Sequence, residues 1–279
     1  MSGRHPGRRR MARRSRKVDW SPVFSLNLPL ALLLAFILSQ VANLATTLYL
    51  HRTLAHRAMA MRPGVELFSR FVLWITVGLD RREWVAVHRK HHVFNDEPDD
   101  PHSPRHKGVA QVLLLNAGYY RIEAKRAATI SSYGRDIRDD RWERLVFGHG
   151  FAGPLLGLVI LAVLFGPIWA LVIGVVHAGL YILQGGMVNS LAHHFGRRPH
   201  PNSATNLRWV ALLTAGEGMH NEHHEYPRSP RFGTTWWDLG GKIAGGLARL
   251  RLVKLHESTR LVRQVDMNAA QVKIPEPVG

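Results

Sequence analysis

Histidines at short, recurring spacings are the side chains of this sequence best placed to do chemistry. Ten of the seventeen fall in four clusters: His51-Arg-Thr-Leu-Ala-His56, His88-Arg-Lys-His91-His92, Asn189-Ser-Leu-Ala-His193-His194 and His220-Asn-Glu-His223-His224. On an α-helix each residue turns by about 100°, so positions i, i+3 and i+4 share a face. His88, His91 and His92 have that spacing, as do His220, His223 and His224, and two such helices present six imidazoles to one space. Asn189 and His193, at i and i+4, extend the face from a third helix. His51 and His56, five apart, diverge by about 140° on a helix, an arrangement expected to grip two different ions. A lone histidine is usually a surface or packing residue; three repeats and a half-motif, each at the end of an apolar or amphipathic stretch, are not explained that way. Imidazole favours iron, copper, zinc or nickel over magnesium or calcium. Eight or nine such ligands exceed what one ion of about four to six positions holds, so two ions are expected.

The rest of the sequence narrows that chemistry. There is no cysteine, which excludes disulfides, thiolate nucleophiles and cysteine-ligated clusters, and leaves His, Asp, Glu or Asn for any metal. No His-Glu-x-x-His occurs, which argues against zinc hydrolysis, and soluble di-iron bundles rely on Glu and Glu-x-x-His instead.

The elements that must position these residues are predicted to be membrane helices. Residues 22 to 50 and 151 to 192 carry no charged side chain, and at roughly 1.5 Å per residue such blocks match a hydrocarbon core of about 30 Å. The expected fold is all-α, an integral membrane helical bundle with a cytoplasmic helical cap carrying a histidine-rich di-metal site. Its parts are a basic disordered tail (1–21), a membrane domain (22–256) and a C-terminal tail (257–279). Within the domain, spans are expected at about 26–50, 149–166 and 168–190, an interfacial helix at 65–80, and cap segments at 81–146 and 194–256. Pro98 and Pro101 are expected to end the helix that carries His88. His177 lies mid-span and reads as functional or as a histidine bonded to a neighbouring helix, while His194 points away from the ligand face.

The net charge of +17 and the arginine-rich first seventeen residues mark attraction to anionic lipid and the cytoplasmic side of a membrane. No groove-reading motif accompanies them, so no nucleic-acid partner is expected. The length of the first apolar block, running directly into His51, argues against a cleaved signal peptide. Arg81, Arg82, Arg89 and Lys90 are expected to form a basic face able to dock an acidic partner, bind phosphates or lie on lipid.

The sequence resembles the membrane fatty-acid desaturases, and within them the acyl-CoA Δ9 (stearoyl-CoA type) branch with its bacterial members. The resemblance rests on His51-Arg-Thr-Leu-Ala-His56-Arg, Glu83-Trp-Val-Ala-Val-His88-Arg-Lys-His-His92, Asp100-Pro-His102, Val188-Asn-Ser-Leu-Ala-His193-His-Phe-Gly196, Gly216-Glu-Gly-Met-His220-Asn-Glu-His-His224, Tyr226-Pro-Arg228 and Trp236-Trp-Asp238. It implies a di-iron centre held by His51, His56, His88, His91, His92, His193, His220, His223 and His224, with Asn189 reaching one iron through water and Asp100 and His102 supporting the ligands. It also implies O2 as co-substrate, a cis double bond placed in a long-chain acyl-CoA or acyl lipid, and the bacterial inner membrane with the site facing the cytoplasm. No ferredoxin, flavin or b5 motif is found in the sequence, so electrons are expected from a separate ferredoxin or cytochrome b5-like carrier with its reductase. A lipid hydroxylase using the same centre is the alternative enzyme, and a metal-storing or regulatory membrane protein the alternative class.

Two departures from the family pattern stand out. Only one span fits between Trp20 and His51, so that either Pro29 breaks the segment into a hairpin or the topology differs. Gln111-Val-Leu-Leu-Leu-Asn-Ala-Gly-Tyr-Tyr120 replaces a usual His-x-Gly-Trp, which leaves head-group recognition open.

Overall fold

A computed structural model describes residues 22–233 and 235–256; the expected tails at 1–21 and 257–279 lie outside the described residues. Helix α1 (Leu28–Ala45) starts where the Asn27 side chain accepts from the Leu30 N–H at 3.1 Å, with Pro29 in its first turn. A proline fits there because it has no N–H to lose and its φ is already helical. Pro29 therefore begins the helix rather than breaking it. The helix runs on, unbroken, through a wider π-helical segment, Thr46–Ala55, so that the span is one 28-residue rod. The segments before Leu28 and after Ala55 lie at opposite ends of it.

Helix α2 (Pro63–Thr76) occupies most of the expected interfacial segment, with Val72 and Leu73 buried against Ala45, Tyr49 and Leu50 and with Phe68 and Phe71 exposed. Helix α3 (Arg81–Val93), capped by the Asp80 carboxylate on the Glu83 N–H at 2.8 Å, ends before the Asn95–Pro101 turn. Short α4 (Pro104–Lys107), α5 (Val109–Ala124) and α6 (Ala127–Tyr133) follow. Helices α7 (Ala152–Phe165) and α8 (Pro167–Ser190) form a hairpin about Gly166, whose φ of 89° a side chain would resist. That hairpin turn sits beside the start of α1, since the Phe24 N–H bonds the Leu164 carbonyl at 2.9 Å. The cap is completed by α9 (Arg208–Leu213), α10 (His220–Glu225) and α11 (Leu239–Arg249). A three-residue antiparallel ladder, β1 (Met59–Met61) with β2 (Val253–Leu255), is a small departure from the all-helical expectation and ties the chain after α11 to the exit of α1.

Two helices, Leu28–Ala55 and Pro167–His193, are long and apolar enough to cross a membrane, and only 28% of the apolar stretch of each is buried. The core helix of a soluble protein would hide most of that surface; here Leu33, Ile37, Val159, Val163, Leu171 and Val175 point outward. Helix α7, with 14 residues, is about 21 Å long and falls short of the hydrocarbon thickness by itself. Small residues let these helices approach closely. Ala31 and Ala35 of α1 meet Ile173 of α8. A Cβ on Gly153 would sit 2.0 Å from the Trp74 carbonyl oxygen, and one on Gly186 would sit 2.3 Å from that of Leu113. The second contact seats α5 against α8, close to the histidine-bearing end of that helix. His177 bonds the Thr76 carbonyl at 3.0 Å, the helix-bridging alternative for that residue.

Candidate metal centre

The nine histidines converge on two adjacent groups at the cap end of α1 and α8. His51, His56, His88, His92 and His223 form one; His91, His193, His220 and His224 form the other, and within each group the nearest nitrogens all lie within 4.8 Å of one another. Each cap helix divides its histidines the same way. Helix α3 gives His88 and His92 (i, i+4) to the five-membered group and His91 to the other, whereas α10 gives His220 and His224 to the four-membered group and His223 to the first. The pair one turn apart shares one group, and the residue at i+3, rotated off that row, joins the other.

The expectation that His51 and His56 reach different ions is overturned, because both belong to the five-membered group. The cause is local backbone geometry. Thr46–Ala55 is π-helical, and the His56 N–H bonds the His51 carbonyl at 3.1 Å, an i to i+5 bond. The wider turn stacks residues five apart on one face, as π-bulges at functional sites do.

Spacing supports metal binding. The Nε2 atoms of His51 and His223 are 3.0 Å apart, those of His56 and His88 2.8 Å, those of His92 and His223 2.9 Å, and those of His220 and His224 3.0 Å. Two nitrogens bound at right angles with metal bonds of about 2.1 Å stand about 3.0 Å apart. The Nε2 atoms of His91 and His193 are buried without a hydrogen-bond partner, as ligand atoms aimed at an ion would be.

Three carboxylates turn these rings inward. Both oxygens of Asp100 receive the His91 Nδ1, at 3.1 and 3.0 Å, and Asp100 also accepts the backbone N–H groups of Asp96 and His102. Asp96 takes Nδ1 of His193 at 3.0 Å, and Glu217 takes Nδ1 of His51 at 2.7 Å. A proton held on Nδ1 leaves the Nε2 lone pair free for metal. Burial would push the pKa values of Asp100, Asp96 and Glu217 up, but the facing histidines outweigh it and hold all three below the usual carboxylate range. Burial lowers His56, His88, His92, His220, His223 and His224, and neighbouring histidine charge lowers them further, so these rings are neutral and ready to coordinate. Burial also opposes charge on His91, yet Asp100 more than compensates and its pKa is raised. His102, with its ring centroid 4.6 Å from that of His91 and neither nitrogen bonded, is brought down to about 3, chiefly by burial.

Beyond the carboxylates, Arg52 is fully buried and joins the site to the C-terminal part of the cap. It donates to Asp238 at 2.7 Å, to the Pro230 carbonyl at 3.1 Å and to Thr47, which in turn donates to Glu217. Its guanidinium lies 3.6 Å over Phe232, whose ring packs on His51 and His223. Trp84 stacks on His88 at 4.8 Å. Asn189 lies outside these groups as described: its amide donates to Asn116 at 2.9 Å. His194 is exposed, in keeping with its exclusion.

Sequence reasoning gave no role to Asp96, Glu217 or Arg52, although each stands within a quoted motif or the turn after one. An acid three residues before His220, and an acid-rich turn directly after His92, were the available signals. The basic face expected from Arg81, Arg82, Arg89 and Lys90 is corrected at three of its four residues, while Arg82 makes no ion pair among the described residues. Arg81 pairs with Glu143 at 2.9 Å, Arg89 with Asp136 at 2.5 Å and Lys90 with Glu123 at 2.8 Å, so these cations hold α3 to its neighbours.

Known proteins fit this picture. A sequence model described as Fatty acid desaturase matches residues 26–240, a stretch containing both spans and every histidine of the two groups. The chain is 33% identical over 214 residues to an sn-1 stearoyl-lipid 9-desaturase of Synechocystis sp., covering 74% of this chain and 64% of that protein. It is 30% identical over 217 residues to Delta-9 acyl-lipid desaturase 1 of Arabidopsis thaliana (75% and 68%). It is also 31% identical over 201 residues to an acyl-CoA C20 Delta5-desaturase of Anemone leveillei (70% and 62%). The chain thus spans roughly two thirds of the length of these relatives. With the family match running through all four histidine clusters in a mostly helical chain, this protein belongs to the fatty acid desaturase family.

Proposed function

We propose that the protein is a membrane-bound, O2-dependent desaturase that places a cis double bond in a long-chain fatty-acyl group, with two iron ions held by the nine histidines. The observation that carries this reading is the division of nine imidazoles, eight of them buried, into groups of five and four at the end of two apolar helices. The donor set fits iron, being all imidazole nitrogen. Bound there, the irons would supply the oxidising power that O2 lends to an unactivated C–H bond, which has no acidity for a side chain to exploit.

The remaining work belongs to the chain. Glu217, Asp96 and Asp100 hold the Nδ1 protons and offset part of the metal charge; His102 packs beside His91; and in this reading Asn189 serves one iron through a water. Phe232 and Trp84, packed on ligand rings, keep the space dry so that one methylene pair can be held against the centre. Relatives named for acyl-lipid and acyl-CoA substrates support either carrier. The balance is one acyl –CH2–CH2– plus O2, two electrons and two protons, giving –CH=CH– and two waters, so a separate donor must deliver two electrons. We place the site on the cytoplasmic face of the bacterial inner membrane, where such donors reside, within a single membrane domain spanning 22–256.

Expression in a desaturase-deficient bacterium, with mass spectrometry of its lipids under isotopically labelled O2, tests the proposal. An alkene free of label is expected. A labelled hydroxyl product would replace desaturation by hydroxylation, and stoichiometric iron without lipid turnover would point to metal storage.

A further inference from the structure

The donor required by that reaction needs a landing surface, and Arg81, Arg89 and Lys90 of α3 are already paired. Free cations gather elsewhere. Between residues 194 and 256 nine Arg and Lys stand against four Asp and Glu, and two of those acids, Glu217 and Asp238, bind Arg52. Arg197, Arg198, Arg208, Arg231, Lys242 and Arg249 are exposed, and none makes an ion pair among the described residues.

These six line two hollows that share Thr235, one of about 290 Å³ against the glycine face of α11 and one of about 410 Å³ beside α10. The floor of the second includes Met219 and Glu222, each the immediate neighbour of a histidine of the metal groups, His220 and His223. The first includes Asp238, which is bonded to Arg52 next to His51. Trp209 and Trp236 are exposed nearby, the kind of side chain that anchors protein interfaces.

Resting on the desaturase reading, we propose that this surface docks an acidic one-electron carrier protein, which would deliver electrons one residue away from the histidine ligands. Excess positive charge steers and orients an acidic partner, and the second hollow reaches the chain neighbours of His220 and His223. The carrier is oxidised by one electron at each of two encounters, and these are the two electrons the reaction balance demands.

The test uses the full chain in phosphatidylcholine nanodiscs and an acidic 2Fe-2S ferredoxin. In its oxidised form, at about 20 mM salt where charges act over long range, the ferredoxin should bind at least about tenfold more weakly to the Arg198→Glu, Arg208→Glu, Lys242→Glu variant. Reoxidation of the reduced ferredoxin by iron-loaded protein should slow by a similar factor. Gly245→Phe should also weaken binding, because Gly245 lines the first hollow with open space around its Cβ position. A control reversal at the exposed Lys125, Arg135 and Arg141 should change binding by less than about twofold.

Unchanged binding in the patch variants, or an equal loss in the control, would overturn the proposal. So would a loss confined to association with phosphatidylglycerol vesicles, which would make the patch a lipid surface. Absence of alkene when iron-loaded protein, reduced by dithionite and freed of excess reductant, is given an acyl lipid and O2 would instead overturn the desaturase reading, while ferredoxin binding would still decide whether the surface docks a carrier.

Discussion

Replacing Asp100 by Asn should weaken one metal position and spare the other. Asp100 is 1% exposed and accepts from His91 Nδ1 on both oxygens while also receiving two backbone N–H groups. An asparagine keeps one accepting oxygen, turns an NH2 toward donors and removes the negative charge, so His91 loses one of its two acceptors and the charge that helps fix its tautomer. Removing such an outer partner costs about 10–100-fold in metal affinity, or about 1.4–2.7 kcal/mol. Asp100 makes no hydrogen bond to any histidine of the five-membered group, so the loss should fall on His91, His193, His220 and His224. Glu217→Gln is the counterpart, since Glu217 holds His51 of the five-membered group. Iron-loaded protein equilibrated against graded chelator, with retained iron counted by mass spectrometry, should release iron in two steps. Asp100→Asn should move one step by one to two decades, Glu217→Gln the other, and the double variant both. Curves unchanged in both variants, or a single variant that moves both steps equally, would refute the assignment of these carboxylates to separate positions.

Three further outcomes are expected. His223→Ala removes a ring whose Nε2 stands about 3 Å from two partners, and should abolish turnover with normal membrane insertion; normal product yield would remove His223 from the ligand set. Arg52→Met leaves buried Asp238 and partly buried Glu217 without their cation and should destabilise the protein by about 3–5 kcal/mol, read as a fall in thermal midpoint; an unchanged midpoint would show the network contributes nothing. The pKa values of His88, His92, His220, His223 and His224 are depressed in the folded protein, so the unfolded chain binds more protons below about pH 6.5. Metal-free protein should therefore lose up to about 1.4 kcal/mol per histidine for each pH unit below that value, and a thermal midpoint flat from pH 7 to 5 would contradict the burial of these rings.

Much of the site was legible because ligand spacing is a local property. His88, His91 and His92, and likewise His220, His223 and His224, must share a helical face wherever those helices pack, and the lengths of the apolar blocks alone place the clusters at helix ends. The π-helical turn was not legible. Nothing in Thr46-Thr-Leu-Tyr-Leu-His51 distinguishes a wide turn from an α-turn, and the difference reverses the relation of His51 to His56. The fate of Arg81, Arg89 and Lys90 was also hidden, because a charge run looks the same in sequence whether its partners are solvent or the acids Glu143, Asp136 and Glu123 folded against it.

The sequence by itself determined the donor inventory, the expectation of two ions and the presence of membrane-length helices, since composition and periodicity need no folding to be read. Only the tertiary structure decided which histidine joins which group, which carboxylates orient them and where unpaired positive charge is left. Glu217 meets His51 across 166 residues and Asp96 meets His193 across 97, and contacts at that separation are fixed by how helices pack, which no local pattern encodes.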